Sequence, residues 1–374
     1  MNEPVKVLYF VDRMLRGGIQ SLVIDWISRF DKNKIHVDFL LLDDGKKYEL
    51  EETLKRFGCK VYKLEGIWIK NPIDYIKQAK ALDNFFNEHH EYKVVHMHSS
   101  SKNFLVLKYA KKYNIPTRIA HAHALDFQCG SFTKKIVGNL LKPRLINYST
   151  DYFACSKSAG KWLFGENIIN NSKFEVVKNG VDYNRFKYNI NNRNSIRHNY
   201  NIKDTDILIG HVGRFTKVKN HSFMIDILYK LLEENKNYKL MFIGEGILEK
   251  KIKEKIIRLD IKDNIIFAGY QQDVSMYLSA LDIFIMPSLY EGLGLGLIEA
   301  QANGLPCLAT KNTIPKDVKI SNNFNFINLE LKEWLESIKN IDLARQDNFD
   351  ALKDAGYIID DSIVFLEKKY LNIK

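Results

Sequence analysis

The chain is built from short, almost continuously apolar runs that alternate with helical stretches, and it does this twice. In the first series KVLYFVDRM (Lys6 to Met14), HVDFLLLD (His36 to Asp43), KVYKLEG, VVHMHSS, TRIAHAHA, DYFACSKS and FEVVKNGVD read as strands. Between them IQSLVIDWISRF, ELEETLKRFG, NPIDYIKQAKALDNFFNEHH and FLVLKYAKKYN have helical spacing. A strand with one wet face alternates polar and apolar residues. A run that is apolar throughout is covered on both faces, as in a parallel sheet sandwiched by helices. Repeated strand–helix units of this kind predict an α/β fold with a doubly wound parallel sheet.

Tyr183 to Asp206 (YNRFKYNINNRNSIRHNYNIKDTD) interrupts the pattern. It is rich in Asn and charge and poor in aliphatic residues, and it reads as a linker. The alternation then restarts through ILIGHVGRF, YKLMFIGEG, NIIFAGY, IFIMPS and PCLAT, followed by helical LKEWLESIKN and DSIVFLEKKYLN. The expected layout is a first domain over 1–182, a linker over 183–206, a second domain over 207–345 and a helical tail over 346–374 that packs back on the first. A chain of 374 residues is too long for one ordinary core, which agrees with two domains.

Composition narrows the partners. Lys and Arg total 56 against 45 Asp and Glu, a formal charge of +11. Nucleic acid, an anionic membrane surface or phosphate-bearing substrates could each answer to that excess. The basic residues are spread along the whole chain with no arginine-rich arm, so nucleic acid is the weakest of the three. No apolar run reaches the roughly 18–20 residues of a membrane span. The start leads straight into a strand without a signal-peptide layout, which predicts a cytoplasmic protein. Cys59, Cys129, Cys155 and Cys307 are scattered, against a disulfide framework or zinc site.

Ligands of doubly wound sheets bind at the carboxyl ends of strands. The sharpest feature there is SLYEGLGLGLIEAQANGLP after IFIMP. Glu291 lies in the loop, Gly292, Leu293 and Gly294 follow, and Glu299 sits on the next helix. Glycines at a helix start let the backbone approach a phosphate, and the free N–H groups and dipole there favour an anion. A carboxylate before that point can accept hydrogen bonds from sugar hydroxyls, and one two turns on can hold a ribose. HVGRFTKVKNH puts Arg214 and Lys219 after the first strand of the second domain, where two cations suit a diphosphate. Gly17 and Gly18 follow the first strand of the chain. His96 with His98, and His121 with His123, put paired rings on one side of a strand. No further ligand clusters nearby in sequence, so no metal is expected.

The spacing of Glu291 and Glu299 resembles the signature of glycosyltransferase family 4, retaining enzymes of the GT-B fold. The resemblance runs through nearly the whole chain and is densest over FAGYQQDVSMYLSALDIFIMPSLYEGLGLGLIEAQANGLPCLAT. Leu293 departs from it, since many members carry Phe there. TIPKDVKI with FINL is similar to the subgroup that builds bacterial capsular and extracellular polysaccharides.

The resemblance implies two Rossmann-like domains facing across a cleft, an acceptor-binding first domain and a nucleotide-sugar-binding second one. It implies that Arg214 and Lys219 contact the donor's phosphates. Gly17 and Gly18 would approach those phosphates and the acceptor. Gly244, in FIGEG, would lie beneath the base, and the backbone at Tyr270 would read the base edge. Asn179 and Gly180 would mark where the chain crosses between domains. A histidine after the fifth strand would bond the donor sugar; His123 matches best, and His121 remains open.

The implied reaction moves a hexose or N-acetylhexosamine from a nucleoside-diphosphate sugar, by resemblance a UDP-sugar, to a hydroxyl of a saccharide acceptor, with retention. The subgroup implies a lipid-linked acceptor and peripheral attachment to the inner face of the membrane. The competing readings are a nucleotide-sugar 2-epimerase and a non-catalytic subunit on the same fold. A nicotinamide dehydrogenase lacks its G-x-G-x-x-G after the first strand.

Overall fold

The computed structural model describes residues 3–15, 17–64, 72–123 and 132–372. It divides into two compact units, Met1–Asn179 with Asp360–Lys374, and Gly180–Ile359.

The first unit holds seven strands: β1 Val5–Val11, β2 Ile35–Leu42, β3 Val61–Leu64, β4 Val94–Met97, β5 Thr117–Ala122, β6 Asp151–Ala154 and β7 Phe174–Val176. The second holds β8 Ile207–Val212, β9 Tyr238–Ile243, β10 Ile265–Gly269, β11 Ile283–Met286, β12 Cys307–Thr310 and β13 Phe324–Ile327. All pairings within the two sheets are parallel. The orders are β3-β2-β1-β4-β5-β6-β7 and β10-β9-β8-β11-β12-β13. Each chain segment starts mid-sheet, winds outward, returns to the middle and winds out the other way. The winding reverses between β1 and β4, and again between β8 and β11.

The apolar runs behave as their composition requires. Val7, Leu8, Tyr9 and Phe10 of β1 and Phe284 and Ile285 of β11 have no exposed surface. In the second unit Ile209, Leu240, Phe242 and Ile285 pack against Met224, Leu228 and Leu231 of the His221–Glu234 helix and Trp334 of the Leu331–Asn340 helix.

The expected linker is a folded part of the second unit. Its polar residues are helix caps and anchors. The Asp182 side chain accepts from the Arg185 N–H at the start of Tyr183–Phe186. Asn189 Oδ1 accepts from the N–H groups of Asn191 and Asn192 at the start of Ile190–Asn199. Such caps satisfy donors that a helix start leaves over. Arg197 is buried and donates to the carbonyls of Ala280 (3.2 Å), Lys203 (2.6 Å) and Asp206 (2.8 Å) and to Asp282 Oδ2 (3.2 Å). Arg193 donates to Asp282 Oδ1 at 2.8 Å. A segment anchored by guanidinium groups needs few aliphatic residues, which is why it reads as a linker.

The expected tail also divides. Residues up to Ile359 belong to the second unit and those from Asp360 to the first. Val181 N–H donates to Tyr357 O (2.8 Å) and Ile359 N–H to Val181 O (3.2 Å), so the two segments at the boundary are paired. A Cβ at Gly180 would lie 2.6 Å from Ile359 Cα, so only glycine lets this pairing close. Within the first unit, Tyr370 of the Ile359–Leu371 helix meets Tyr9 Oη at 2.8 Å and His96 Nδ1 at 2.6 Å.

Cys59, Cys155 and Cys307 are buried thiols, and Cys129 lies outside the described residues. No helix among the described residues is long and apolar enough to cross a membrane. Replacing Arg197 by Ala removes a buried guanidinium that bonds three carbonyls and one oxygen of Asp282, while Arg193 still holds the other. The expected loss is about 1.5–3 kcal/mol, read as a lower urea midpoint, against about 1 kcal/mol or less for Arg193→Ala. Equal midpoints for the two variants would contradict the anchoring.

Candidate functional site

The second unit's winding reverses between β8 and β11, and the loops after these strands are cross-linked there. Leu289 N–H donates to Val218 O at 2.8 Å. Asn220 Nδ2 donates to Pro287 O at 3.2 Å. Between these two, Lys219 Nζ meets Glu291 Oε1 at 2.7 Å. The loop after β12 closes the third side, with Glu291 N–H donating to Thr313 O (2.9 Å) and Thr313 Oγ1 to Ser288 O (2.9 Å). The Glu291 and Lys219 side chains are 11% and 21% exposed, enough shelter to limit screening by salt. Arg214, on the same β8 loop, is exposed and makes no ion pair or side-chain hydrogen bond with a described residue. The switch point therefore holds one paired cation, one unpaired cation and a fixed carboxylate.

The Leu295–Ala302 helix starts beside this pair. Its N-cap, Gly294, has φ +81 and ψ 52, a left-handed conformation that side chains resist. Gly292, Leu293 and Gly294 are buried, and no side chain caps the helix, so its first N–H groups remain for an anion. Glu299 lies on the second turn and is half-buried, as is Glu291. Gly244 has φ +142, and a Cβ there would lie 2.3 Å from Gly213 O. Gly246 abuts Phe215 N in the same way at 2.6 Å. These glycines let the loops after β8 and β9 touch backbone to backbone. Two contacts escaped the sequence reading: Glu245 Oε1, in the FIGEG loop, accepts the Tyr270 N–H at 3.3 Å, and Phe215 stacks on the buried His221. The Glu between two glycines of FIGEG was the only available hint of the first.

Comparison with known proteins agrees with this geometry. Residues 192–348 match the family model described as Glycosyl transferases group 1, and residues 16–185 that of Glycosyltransferase Family 4. EpsF of Bacillus subtilis, named as a glycosyltransferase, is 30% identical over 319 residues, 84% of this chain and 82% of its own length. The chain belongs to glycosyltransferase family 4. Another relative is the UDP-Gal:alpha-D-GlcNAc-diphosphoundecaprenol alpha-1,3-galactosyltransferase of Escherichia coli. It is 25% identical over 339 residues, 89% of this chain and 86% of its own. The structure of Anabaena Alr3699/HepE with UDP and glucose has a TM-score of 0.79 at 17% identity, covering 98% of this chain and 100% of that one. At that identity the likeness speaks for the fold, which is GT-B, two Rossmann-like domains.

In the first unit of this glycosyltransferase, Gly17 is the N-cap of the Gly18–Ile27 helix in extended backbone. A Cβ on Gly17 would crowd the flexible end of Gln20 and touch Leu15 O at an ordinary 3.9 Å, and one on Gly18 would meet nothing within 4 Å. Neither glycine is required by its own backbone or by packing. The four histidines pair across β4 and β5. His96 Nε2 and His121 Nδ1 are 3.0 Å apart, and His98 Nδ1 and His123 Nε2 are 2.9 Å apart. His121 is buried and stacks on Trp26, whereas His123 lies just past the end of β5 and is half-buried. His96, His98 and His121 bring one ring nitrogen each within 4.8 Å of one another. Both His96 nitrogens are already hydrogen-bonded, so an ion there would have to break this pairing.

Burial drives the pKa of all four down, that of His123 to about 3, and holds them neutral. His211 and His221 in the second unit behave alike. Below the ordinary value of about 6.5 the unfolded chain takes up protons that the folded chain refuses. Their contribution is therefore present above that value and is lost as pH falls toward the depressed folded values. The urea midpoint is expected to drop between about pH 7.5 and about pH 5, by at most ~1.4 kcal/mol per histidine per pH unit. An unchanged midpoint would show that these rings already carry charge in the fold.

Proposed function

We propose that this glycosyltransferase moves a hexose or N-acetylhexosamine from a UDP-sugar to a hydroxyl of a lipid-linked saccharide acceptor, with retention, in capsule or exopolysaccharide synthesis. The observation that carries this reading is the Lys219–Glu291 pair beside an uncapped helix start and an unpaired Arg214. The diphosphate lies against Arg214, Lys219 and the amides of Gly292, Leu293 and Gly294, with Gly17 and Gly18 leaving room for it. Glu291 takes hydroxyls of the sugar and Glu299 those of the ribose. The base rests by Gly244 and the Tyr270 backbone, and a neutral His123 bonds the donor sugar. The bond from C1 to the diphosphate oxygen breaks while the acceptor oxygen bonds C1 on the same face, and the acceptor's proton passes to the departing phosphate. Placement and stabilisation of the leaving charge supply the rate, with no metal required. The Escherichia coli relative, which takes UDP-galactose to a diphosphoundecaprenol-linked acceptor in an alpha linkage, supports the donor and acceptor classes.

A thermal-shift panel of nucleoside diphosphates and their sugars tests the donor, since a ligand at about 100 times its Kd adds about 2.7 kcal/mol. UDP compounds are expected to raise the melting temperature most. Glu291→Ala is expected to cut transfer at least about a hundredfold with melting temperature kept, and Glu299→Ala to weaken the UDP shift. Product NMR with unchanged anomeric configuration supports retention. Conversion of donor alone to its epimer would move the reading to a 2-epimerase.

Peripheral attachment belongs to the same proposal. The +11 charge supports it, as do exposed Ile136, Val137 and Leu140 on the Phe132–Tyr148 helix. Binding to phosphatidylglycerol vesicles at low salt is expected; no binding there would remove the idea.

A further inference from the structure

Unit 1 has its own reversal, between β1 and β4, and a polar set is gathered there that none of the roles above uses. Asp12 follows β1 directly. Its Oδ1 accepts from Ser99 Oγ and from Asn103 Nδ2, the latter at 2.9 Å. Asn103 Nδ2 also reaches Ser99 Oγ at 2.8 Å, and Asn103 Oδ1 accepts from Gln78 Nε2 at 3.3 Å. Oδ1 is thus fully occupied, while Oδ2 has no partner among the described residues. The nearby Arg13 donates to Asp44 at 3.2 Å. Burial raises the Asp12 carboxyl above its ordinary range, against the Ser99 hydrogen bond, the charge of Arg13, the Asn103 hydrogen bond and the charge of Lys102, which lower it.

The residue before Ser99 adds a second observation. His98 is 3% exposed, and its Nε2 is buried with no partner among the described residues. His123, bonded to His98 through Nε2, has a buried Nδ1 without a partner among the described residues. Buried polar atoms are normally paired, and each exception costs about 1–3 kcal/mol. Here they gather at the carboxyl edge of β1, β4 and β5, where a doubly wound sheet takes its ligand. A brace between strands does not explain Asp12, because an asparagine would accept the same two hydrogen bonds on Oδ1 without a buried charge. A carboxylate with one oxygen fixed and one left over instead suits a hydroxyl, which it binds by a charge-assisted O–H···O bond.

We propose that Asp12 is an acceptor-binding residue of the first unit, its Oδ2 receiving a hydroxyl of the saccharide acceptor. The inference rests on the transferase reading above. Ser99 and Asn103 are positioning residues that fix the carboxylate through Oδ1.

The test uses the full-length chain, the UDP-sugar chosen by the thermal-shift panel, and octyl glycosides of glucose, galactose and N-acetylglucosamine as acceptor probes. Asp12→Asn keeps the two bonds on its oxygen and turns the open atom into a donor. The expected result is a rise in acceptor KM of about tenfold or more with the UDP-induced melting shift unchanged. The acid limb of wild-type kcat/KM for the acceptor should vanish in the same variant. Ser99→Ala, which keeps the carboxylate and loosens it, should raise acceptor KM less. Wild-type acceptor KM in Asp12→Asn would overturn the proposal. So would a wild-type chain that responds to UDP but transfers to none of the three glycosides. Failure of the wild-type chain to respond to any nucleotide is a different outcome, and it would sink the transferase reading itself.

Discussion

A parallel sheet covered on both faces has to change the side on which its helices return, and at that change two neighbouring strands end without a helix bridging them. The polar loops to which the proposed reaction is assigned gather chiefly around two such places, β1 with β4 and β8 with β11. The constraint is topological before it is chemical. The loops that follow those strands need not fill space beneath a crossover, so they can carry charge. In the second unit they carry Arg214, Lys219 and Glu291; in the first, Asp12 and His98.

The loops gain their rigidity from backbone contact more than from side-chain bulk. Gly244 and Gly246 press one loop on another at distances where a Cβ has no place, and Val218 and Asn220 tie the β8 loop to the β11 loop on both sides of Lys219. The lysine is thereby fixed at its root, and its Nζ is paired with Glu291. The first unit solves the same problem with rings. Neutral imidazoles joined in pairs need no counter-ions, and they let β4 and β5 present polar atoms at their ends without burying net charge.

The sheets, their parallel sense and the strand-end loops that carry the second unit's candidate residues were legible because they follow from short-range signals. Unbroken apolar runs mean two covered faces, and glycine after a strand with a carboxylate nearby means a ligand edge. What the sequence hid was long-range and polar. The Tyr183–Asp206 stretch is tied to the second unit by long-range bonds, among them those of Arg193 and Arg197 to Asp282, which for Arg197 lies eighty-five positions along the chain. The FNFI strand, β13, was passed over because Asn325 breaks a run of only four residues. Tyr370 and Asp12 drew no notice, since a tyrosine near the end of a helix and an aspartate after a strand are common until their partners are known.

The Lys219–Glu291 pair also explains how a cation site can wait without ligand. An unpaired lysine in a half-sheltered cleft of loops would repel Arg214 and give up hydration for nothing in return. Paired with Glu291, it is neutralised at little cost and kept within reach. In the proposed reaction a diphosphate brings more negative charge than one carboxylate can offer, and it brings it to both cations at once. Lys219 would then have a stronger partner, and the Glu291 side chain, on a backbone still anchored by its N–H to the Thr313 carbonyl, would be released to accept hydroxyls. On that reading, electrostatics alone would couple arrival of the phosphates to readiness of the group proposed to receive the sugar.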